Sequence, residues 1–331
     1  MKNIKVVLIG FGTVCSALYK QLSKNERFHV ERIVVRDRYK PRQWGNLPIA
    51  EEGEWLPILE DPSIHVILEA IDDADAAYAY AQSALRAGKI YITANKRMLA
   101  YHLQTLLSTA KLRGGSIYYE AAVGGAIPIV RTLDQHYKGQ SIRSLRGILN
   151  GSCNYILTRM EEEDLSFDLA LKEAQEKGFA ESDPTLDIEG YDAMYKTVLL
   201  AWSAFNQHLT LSDVQRTGID AISVPHIRQA RKLGARVRLI ATIENKKKKL
   251  TSWVRPEWLW PEDPLFAIQY ETNAIEISGE YFGTIMLQGP GAGGDATASA
   301  MIGDLYNSNI LRVRKKSKTT SRKLAGKTIL F

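Results

Sequence analysis

The sequence predicts an α/β protein in which a doubly wound parallel sheet is followed by a second, mixed α/β domain. Three observations predict this fold class. Short apolar runs alternate with helix-like stretches from residue 4 to about residue 125, which is typical of a parallel sheet covered by helices on both faces. The first apolar run leads directly into a glycine turn. Beyond residue 125, long helical patterns come first and β-rich stretches follow, so the architecture changes.

The first domain is predicted over residues 1–125. Its first strand covers residues 4–9 and precedes a helix-like stretch that ends near Lys24. Further elements are predicted as strands at 30–35, 64–70, 90–93 and 116–120 and as helices at 76–87 and 99–112. We expect a helix at about 290–310 to complete this domain, because its Ala, Ser and Gly residues allow a close approach of backbones.

The second domain is predicted over residues 126–288. Its elements are expected as helices at 127–136, 154–163, 166–177 and 190–205 and as strands at 145–149, 253–254, 274–278 and 283–287. The four lysines at 246–249 are interpreted as a charged turn between strands. Residues 311–331 are predicted to form a basic C-terminal tail.

The net charge of +6 belongs to this tail. No Asp or Glu follows Asp304, whereas eight of the 43 Lys and Arg residues do, which leaves 35 basic against 37 acidic residues elsewhere. A basic tail can contact nucleic acid or an acidic partner. We favour a solvated end, and no nucleic-acid partner is predicted.

Composition also bears on the compartment. No apolar stretch approaches the roughly 20 residues that span a bilayer, so no membrane partner is predicted. The N-terminus lacks the long apolar run and the small-residue cleavage site of a signal peptide. Two cysteines, Cys15 and Cys153, give no disulfide framework. We therefore expect a cytoplasmic protein.

A glycine turn joins the first strand to the first helix. Gly10 permits a tight turn, and Gly12 lets backbone N–H groups reach a pyrophosphate at the helix N-terminus. Cys15 stands where the pattern has a third Gly or Ala, and it is small enough to be tolerated or displaces the helix slightly. The turn predicts a dinucleotide-binding, Rossmann-type domain. A strand–helix turn without a ligand is the alternative.

Basic residues follow the second strand, where an NAD enzyme places an acid against the ribose 2′-hydroxyl. Arg36 takes roughly that place, and Arg38 and Lys40 add positive charge. Because a guanidinium suits a 2′-phosphate, NADP is the predicted cofactor. Asp37 keeps NAD open, and solvated loop charges are the alternative.

Lys96 follows the strand at 90–93, at the edge where open α/β sheets bind ligands. A lysine there can meet a reacting oxygen or a carboxylate of a substrate. A surface lysine at the start of a helix is the alternative.

Residues 174–196 are dense in carboxylates and precede an apolar helix. Their acids can receive an ammonium group of a substrate. Asp192 and Lys196 share a helix face, since they lie four residues apart. A carboxylate nearby favours the charged form of a lysine and burial favours the neutral form, so Lys196 can pass a proton to and from an alcohol. A surface ion pair beside a solvated loop is the alternative.

The turn at 147–155 offers hydroxyl, amide and N–H donors that suit a small carboxylate. Cys153 suggests a further hypothesis, because a thiol at a helix N-terminus can be acidic enough to attack an aldehyde. A small residue packed at the turn is the interpretation that we favour.

Taken together, these segments resemble the homoserine dehydrogenase family. The long signature of that family matches residues 174–196 position by position, and the similarity extends over nearly the whole chain. The family interconverts L-homoserine and L-aspartate 4-semialdehyde with NAD(P), on the route to threonine, methionine and isoleucine. The resemblance implies that residues 126–288 serve dimerisation and substrate binding and that the protein is a homodimer.

The resemblance also implies roles for individual residues. Lys196 and Lys96 handle the proton and polarise the substrate, and Asp192 orients the substrate side. Substrate contacts are expected at Glu181, Asp187, Ser152 and Gly151. Cofactor contacts are expected at Gly10, Phe11, Gly12, Thr13, Val14, Arg36, Arg38, Lys40, Ala70, Asn95, Lys96 and Gly291. A monovalent cation such as Na⁺ is expected at Glu120, Val123, Gly125 and Ile127.

The sequence departs from the family after the third predicted strand, where Asp72 and Asp73 replace a Gly-Gly pair. Two carboxylates there would repel cofactor phosphates or narrow the pocket. An active enzyme is favoured, because both lysines are retained. The alternatives are a non-catalytic, nucleotide-sensing paralogue and a semialdehyde dehydrogenase that uses Cys153. Without the C-terminal ACT module of longer members, threonine inhibition through that module is not expected.

Overall fold

A computed structural model of the chain describes residues 4–42, 45, 47–247 and 249–308. The chain divides into two compact units. One comprises Met1–Thr93, Thr105–Tyr119 and, within the described residues, the chain from Met301; the other comprises Ala94–Gln104 and Glu120–Ala300. The tail predicted at 311–331 lies outside the described residues.

The first unit is built on a parallel sheet. Its strands are β1 (Ile4–Ile9), β2 (Phe28–Val35), β3 (Ile49–Glu51), β4 (Ile64–Glu69), β5 (Ile90–Thr93) and β6 (Ser116–Tyr118). In the described part of the chain they lie in the order β3-β2-β1-β4-β5-β6. The order reverses between β1 and β4, and open α/β sheets bind ligands at such a point.

Helices connect these strands and confirm the predicted alternation. They are α1 (Thr13–Leu22), α2 (Trp55–Glu60), α3 (Ala74–Arg86) and α4 (Lys96–Arg113), the last of which begins in the second unit. Val6, Val7 and Leu8 are fully buried in β1, as expected for a strand covered on both faces. The buried side of α3 consists mainly of alanines, which allow the helix to lie close to the sheet.

The second unit contains a mixed sheet. Its strands are β7 (Ile142–Ile148), β8 (Val214–Arg216), β9 (Arg236–Lys246), β10 (Lys249–Leu259), β11 (Thr272–Gly279) and β12 (Gly283–Pro290). Within the described residues their order is β12-β11-β7-β9-β10-β8, antiparallel except for the pair of β8 with β10. β9 and β10 pair on either side of the predicted lysine turn.

Helices α6, α9 and α10 pack against strands of this second sheet. The helices of this part of the chain are, in chain order, α5 (Ile129–Arg131), α6 (Gly151–Glu163), α7 (Phe167–Glu176), α8 (Thr185–Ile188), α9 (Tyr191–Phe205), α10 (Val224–Lys232) and α11 (Gly294–Asn307), the last of which ends in the first unit. Thr197 and Leu200 of α9 lie against Leu145, Ala241 and Ile275 of the sheet. Every residue of α9 from Asp192 to Ala201 is buried, so two charged side chains are held inside the unit.

The second unit differs from the sequence prediction in several features, among them β8 and β9, whose bounds were not predicted. The single helix expected at 127–136 is instead the short α5 followed by a π-helical turn at Thr132–His136. The helix α10 was not predicted, because its buried side consists only of Ile227 and Ala230 and gives no clear periodicity. Among the residues that the structure describes, no helix combines the length and the apolar character needed to cross a membrane.

Candidate active site

The glycine turn after β1 is held tightly. Gly10 has φ +88°, and a Cβ there would lie 2.7 Å from Ile71 Cγ2 and 3.0 Å from the Ala70 carbonyl oxygen. A Cβ at Gly12 would instead point into open space. Cys15 is buried in α1 and donates its S–H to the Ile9 carbonyl at 3.4 Å. The third position of the motif is therefore filled by a packed thiol.

A cavity of about 670 Å³ opens beside this turn. Its wall includes predicted cofactor residues and several others that the motif did not indicate. The lining residues used below are Gly10, Phe11, Gly12, Arg36, Lys40, Arg42, Asp72 and Asp73. Thr13 and Val14 begin α1 directly after the turn, and Ala70 lies against Gly10. The volume of this cavity and its position beside the glycine turn suit part of a dinucleotide.

The basic residues after β2 have three different surroundings. Arg36 lies 3.4 Å from the Asp73 carboxylate at the cavity wall. Arg38 is directed to Glu51 at 3.7 Å and is not among the cavity-lining residues. Arg42, which the sequence analysis did not select, lines the cavity and donates to the carbonyl oxygens of residues 37, 38 and 40 at 2.6, 3.2 and 2.8 Å. No local pattern around Arg42 indicates this position.

Asp72 and Asp73 both line the cavity, where the sequence analysis expected them to disturb a cofactor. Asp73 is also the N-cap of α3, since its Oδ1 accepts from the backbone N–H groups of Asp75 and Ala76 at 3.1 and 3.0 Å. These N–H groups and the Arg36 guanidinium lower the pKa of Asp73 below its usual value. Asp73 therefore remains a carboxylate that partly neutralises Arg36.

A buried acid that the sequence analysis did not select joins two strand ends. Glu69 accepts from the Ile71 N–H at 2.7 Å and from the Thr93 hydroxyl at 2.6 Å. Burial raises the pKa of Glu69 to about 7. Its carboxyl group therefore fixes the turn that packs on Gly10.

In the second unit, the predicted lysines meet at one carboxylate. Lys196 Nζ donates to Asp192 Oδ2 at 2.8 Å and to the Leu149 carbonyl at 2.7 Å. Lys96 forms an ion pair with the other oxygen, Asp192 Oδ1. Lys96 is positioned by the start of α4, where Asn95 Oδ1 accepts from the Met98 N–H at 2.8 Å. Asp192 thus lies between the two ammonium groups.

The two lysines differ in their electrostatic surroundings. Burial lowers the pKa of Lys196, Asp192 opposes that shift, and repulsion from Lys96 adds to it, so the pKa is lowered overall. Burial also acts to lower the pKa of Lys96, but the Asp192 carboxylate outweighs it and the pKa is raised. The pKa of Asp192 lies below its usual value despite burial, because both lysines attract its charge.

The predicted ammonium site lies next to this cluster. Asp187 accepts from Asn150 Nδ2 at 2.7 Å and from Ser152 Oγ at 3.0 Å. The same Asn150 amide donates to Asp192 at 2.9 Å. Gly151 begins α6 and lies so close to the Glu271 carbonyl that a Cβ would approach it to 2.7 Å. The turn could be predicted from the sequence, whereas the position of Asn150 between two acids could not, because it depends on tertiary contacts.

The other acids of the run are placed differently. Glu181 is exposed, and its charge contributes to the raised pKa of Lys96. Asp183 accepts from the backbone N–H of Thr185 at 3.1 Å and from its hydroxyl at 2.6 Å. Asp183 therefore stabilises the start of α8, whereas Glu181 acts on Lys96 through its charge.

Cys153 has surroundings that disfavour a thiolate. It is fully buried in α6, and its Sγ donates to the Asp187 backbone carbonyl at 3.1 Å. Burial raises the pKa of Cys153 well above its ordinary value, and the charges of Asp187 and Asp192 raise it further. The hypothesis of a nucleophilic Cys153 is therefore not supported by the geometry.

In the loop where a cation is expected, the backbone carbonyls of Glu120 and Ile127 accept from the N–H groups of Val123 and Ile129 at 3.3 and 2.8 Å. Glu120 itself accepts from the N–H groups of Val130 and Arg131, each at 2.8 Å. Val123 and Ile127 are buried, and Gly125 has φ +56°. The described residues contain no group of three or more His, Cys, Asp or Glu side chains that could hold a metal ion. The monovalent-cation site stays a prediction.

Gly291 lies in this same region of the second unit. A Cβ at Gly125 would come within 2.7 Å of the Pro290 carbonyl, and a Cβ at Gly291 would collide with the Asn273 side chain. Asn273 Nδ2 donates to the Leu149 carbonyl at 2.9 Å, the carbonyl that also accepts from Lys196. Asn273 was not selected from the sequence, because no motif surrounds it.

Comparisons with known proteins agree across both units. The family model described as "Homoserine dehydrogenase" matches residues 128–306, and the model described as "Homoserine dehydrogenase, NAD binding domain" matches residues 10–120. Homoserine dehydrogenase of Bacillus subtilis is 37% identical over 314 residues, which cover 92% of this chain and 72% of that protein. The Corynebacterium glutamicum enzyme is 35% identical over 316 residues, covering 91% and 71%.

Solved structures of homoserine dehydrogenases also resemble this chain over most of its length. A homoserine dehydrogenase from Thiobacillus denitrificans has a TM-score of 0.88 and 32% identity, with 92% of this chain and 73% of that chain covered. A hyperthermophilic archaeal homoserine dehydrogenase in complex with NADPH has a TM-score of 0.81 and 26% identity, with 93% and 98% covered.

The burial of both cysteines predicts that native protein resists alkylation. Cys15 and Cys153 are fully buried, and burial raises the pKa of Cys15 to about 12. We expect N-ethylmaleimide at neutral pH to label neither thiol in native protein, because only an accessible thiolate reacts. Mass spectrometry of native and urea-unfolded samples gives the measurement and its control. If Cys153 were labelled as fast in native protein as in unfolded protein, the thiol would be accessible, and its burial would be contradicted.

Proposed function

The chain belongs to the homoserine dehydrogenase family, and from that premise we propose how its residues interconvert L-homoserine and L-aspartate 4-semialdehyde. The enzyme is an NAD(P)-dependent oxidoreductase of aspartate-derived amino-acid synthesis. The two lysines have different roles: Lys196 transfers the proton, and Lys96 polarises the reacting oxygen. The observation that supports this division is that both lysines contact Asp192 but have opposite pKa shifts.

The hydrogen bonds around Lys196 orient its amine group so that it can act as a base. Two of the three positions around its Nζ are taken by the Leu149 carbonyl and by Asp192 Oδ2. A neutral amine keeps both N–H bonds there, and its lone pair occupies the third position. That lone pair accepts the hydroxyl proton during oxidation of the alcohol and returns it during reduction of the aldehyde. The lowered pKa of Lys196 supports this exchange, because the neutral form is accessible.

Lys96 serves as a fixed cation. Its side chain is 42% exposed, whereas that of Lys196 is 7% exposed. The raised pKa of Lys96 keeps its ammonium group charged throughout the cycle. A cation stabilises the negative charge that develops on the reacting oxygen.

Carboxylates beside the lysines complete the substrate site. We assign the substrate ammonium group to Asp187, with Glu181 contributing charge from the exposed side. Burial and Asp192 raise the pKa of Asp187, while the Asn150 amide lowers it. The bound nicotinamide supplies the hydride acceptor or donor, and the protein supplies orientation and charge. A Cys153 mechanism is not favoured, because the thiol is buried and its pKa is raised.

Removal of the proton-carrying lysine gives the direct test. We expect Lys196→Ala to reduce kcat at least about a hundredfold, the usual contribution of a general acid or base. Because burial lowers the pKa of Lys196, homoserine oxidation by wild-type enzyme is expected to rise with pH below the ordinary lysine range. Spectrophotometry at 340 nm measures both effects.

Lys177→Ala is a matched control for that test. Lys177 forms an i,i+4 pair with Glu173 at 2.8 Å, as Lys196 does with Asp192, but it is 53% exposed. We expect the control to retain turnover. Near-wild-type kcat in Lys196→Ala, with circular dichroism showing an intact fold, would exclude Lys196 as the proton carrier.

We also propose that the enzyme prefers NADP. Arg36, Lys40 and Arg42 bring positive charge to the cavity beside the glycine turn. The loop carbonyls hold the Arg42 guanidinium in place, and a guanidinium binds phosphate with good geometry. Asp73 competes for Arg36, so Arg42 is the better preorganised of the two arginines.

Three arginine variants test this preference. We expect Arg36→Ala and Arg42→Ala to weaken NADPH binding at least about tenfold while NADH binding changes less than about twofold, because only NADPH loses a charged hydrogen bond. Arg38→Ala is the matched control, since Arg38 is directed to Glu51. Fluorescence titration measures the dissociation constants. An equal loss for both cofactors, or a loss in the control, would contradict the assignment.

We further propose a homodimer that uses the sheet face opposite α6 and α9. On that face Trp253 and Met286 are partly buried, and Arg146 forms ion pairs with Asp263 and Glu257 at 2.6 and 3.4 Å. Part of that face packs against Leu265 and Ile268, and we assign the remainder to packing against the same face of a second copy, as sheets pack face to face. Multi-angle light scattering is expected to give a mass near twice 37.1 kDa. A monomer at micromolar concentration would contradict the proposal.

A further inference from the structure

The side chain of Asn150 uses both of its N–H donors and its carbonyl oxygen in hydrogen bonds inside the site. It is 4% exposed. Its Nδ2 donates to Asp187 Oδ1 at 2.7 Å and to Asp192 Oδ2 at 2.9 Å, and its Oδ1 accepts from the Cys153 N–H at 2.8 Å. A turned amide would set its oxygen against two carboxylates, so the surroundings determine its orientation.

We infer that Asn150 is a positioning residue that holds the carboxylates of Asp187 and Asp192 at a fixed spacing. The inference rests on the function proposed above, in which Asp187 binds the substrate ammonium group. Each acid receives one N–H from a neutral group that can neither repel nor neutralise it. The distance between the ammonium site and the proton-carrying lysine is thereby set by one amide.

The charges around Asp187 make such a donor necessary. Burial raises the pKa of Asp187 and the Asp192 carboxylate raises it further, whereas Asn150, Lys96 and Ser152 lower it. The Cys153 thiol contacts its backbone carbonyl and remains protonated.

Two further charged residues lie in the surrounding network. Lys196 donates to Asp192 Oδ2, the oxygen that also accepts from Asn150, and its charge interacts with Asp187, whereas Glu181 acts on Lys96. Loss of the amide would remove a group that favours the ionised form of Asp187 and would leave the repulsion from Asp192 in place.

The sign of the pH effect follows from this arrangement. Asp187 binds an ammonium group only when it is ionised, so substrate affinity is lost as pH falls through its pKa. Removing the Asn150 donors raises that pKa further, because the ionised form loses a hydrogen bond. The acidic limb of kcat/KM for homoserine therefore moves to higher pH.

Two substitutions separate positioning from helix capping. Asn150→Ser keeps an oxygen that can cap α6 but cannot reach both carboxylates. Asn150→Asp keeps both the shape and the cap, but it sets a third carboxylate against Asp187 and Asp192. Ser166→Ala is the control, because Ser166 caps a different helix, α7, through the Leu169 N–H at 3.3 Å.

The experiment measures kcat, KM for homoserine and thermal unfolding of the full enzyme across the pH range of activity. In Asn150→Ser we expect KM to rise at least about tenfold, the worth of a hydrogen bond to a charged group, with a smaller change in kcat. The acidic limb is expected to move to higher pH, and further in Asn150→Asp. Ser166→Ala is expected to unfold at lower temperature with an unchanged KM and an unchanged limb.

The outcomes distinguish this inference from the function on which it rests. An unchanged limb and KM in both Asn150 variants would overturn the positioning role, as would equal losses in kcat and stability without a KM effect. These results would leave Lys196 as proton carrier untouched. Near-wild-type turnover in Lys196→Ala would instead overturn the proposed mechanism, whatever the Asn150 variants showed.

Discussion

The second unit depends on one carboxylate, Asp192, which lies between two ammonium groups. A buried lysine is strongly destabilising without a partner of opposite charge, and a buried carboxylate is equally so. Asp192 and Lys196 are both almost fully buried, and Lys96 reaches them from a more exposed position. The shared charge is why α9 can carry these side chains into the interior at all. The same cluster produces two lysines of unlike acidity, which the proposed chemistry requires.

The neighbouring polar groups follow from this arrangement. Lys196 needs a second acceptor, and the Leu149 carbonyl supplies it at the end of β7. Asn273 donates to the same carbonyl, so the end of this strand is held from both sides. Asp187 stands beside an ionised acid and needs donors, which Asn150 and Ser152 provide. A buried network of this kind is stabilising only when its polar groups all have hydrogen-bond partners. The turn at the start of α6 supplies most of these hydrogen bonds.

Much of the fold could be predicted from the sequence, and so could the residues Lys96, Asp192 and Lys196 that the structure brings together, because both have local patterns. Alternating apolar runs indicated the parallel sheet, and the spacing of Asp192 and Lys196 indicated one helix face. Asn150, Asn273 and Arg42 could not be selected, since their partners are distant in sequence or are backbone carbonyls of a folded loop. Arg38 and Arg42 have the same chemistry and lie four residues apart, yet only the folded loop determines which of them lines the cavity. The ligand contacts assigned to individual residues, the dimer and the cation stay predictions.

Glu69 and Lys196 give the enzyme opposing responses to a rise in pH. Its carboxyl group has a pKa of about 7, above the value of an exposed glutamate, because the group is buried. The folded state therefore binds this proton more tightly than the unfolded chain, and the associated stabilisation is lost as pH rises through that pKa. In the proposed mechanism, homoserine oxidation needs the neutral form of Lys196 and is therefore favoured by the same rise in pH. In the pH range where we expect fast turnover, the buried acid in the turn beside Gly10 is therefore ionised. The pH range in which the enzyme is both active and stable is thus limited by one residue in each unit.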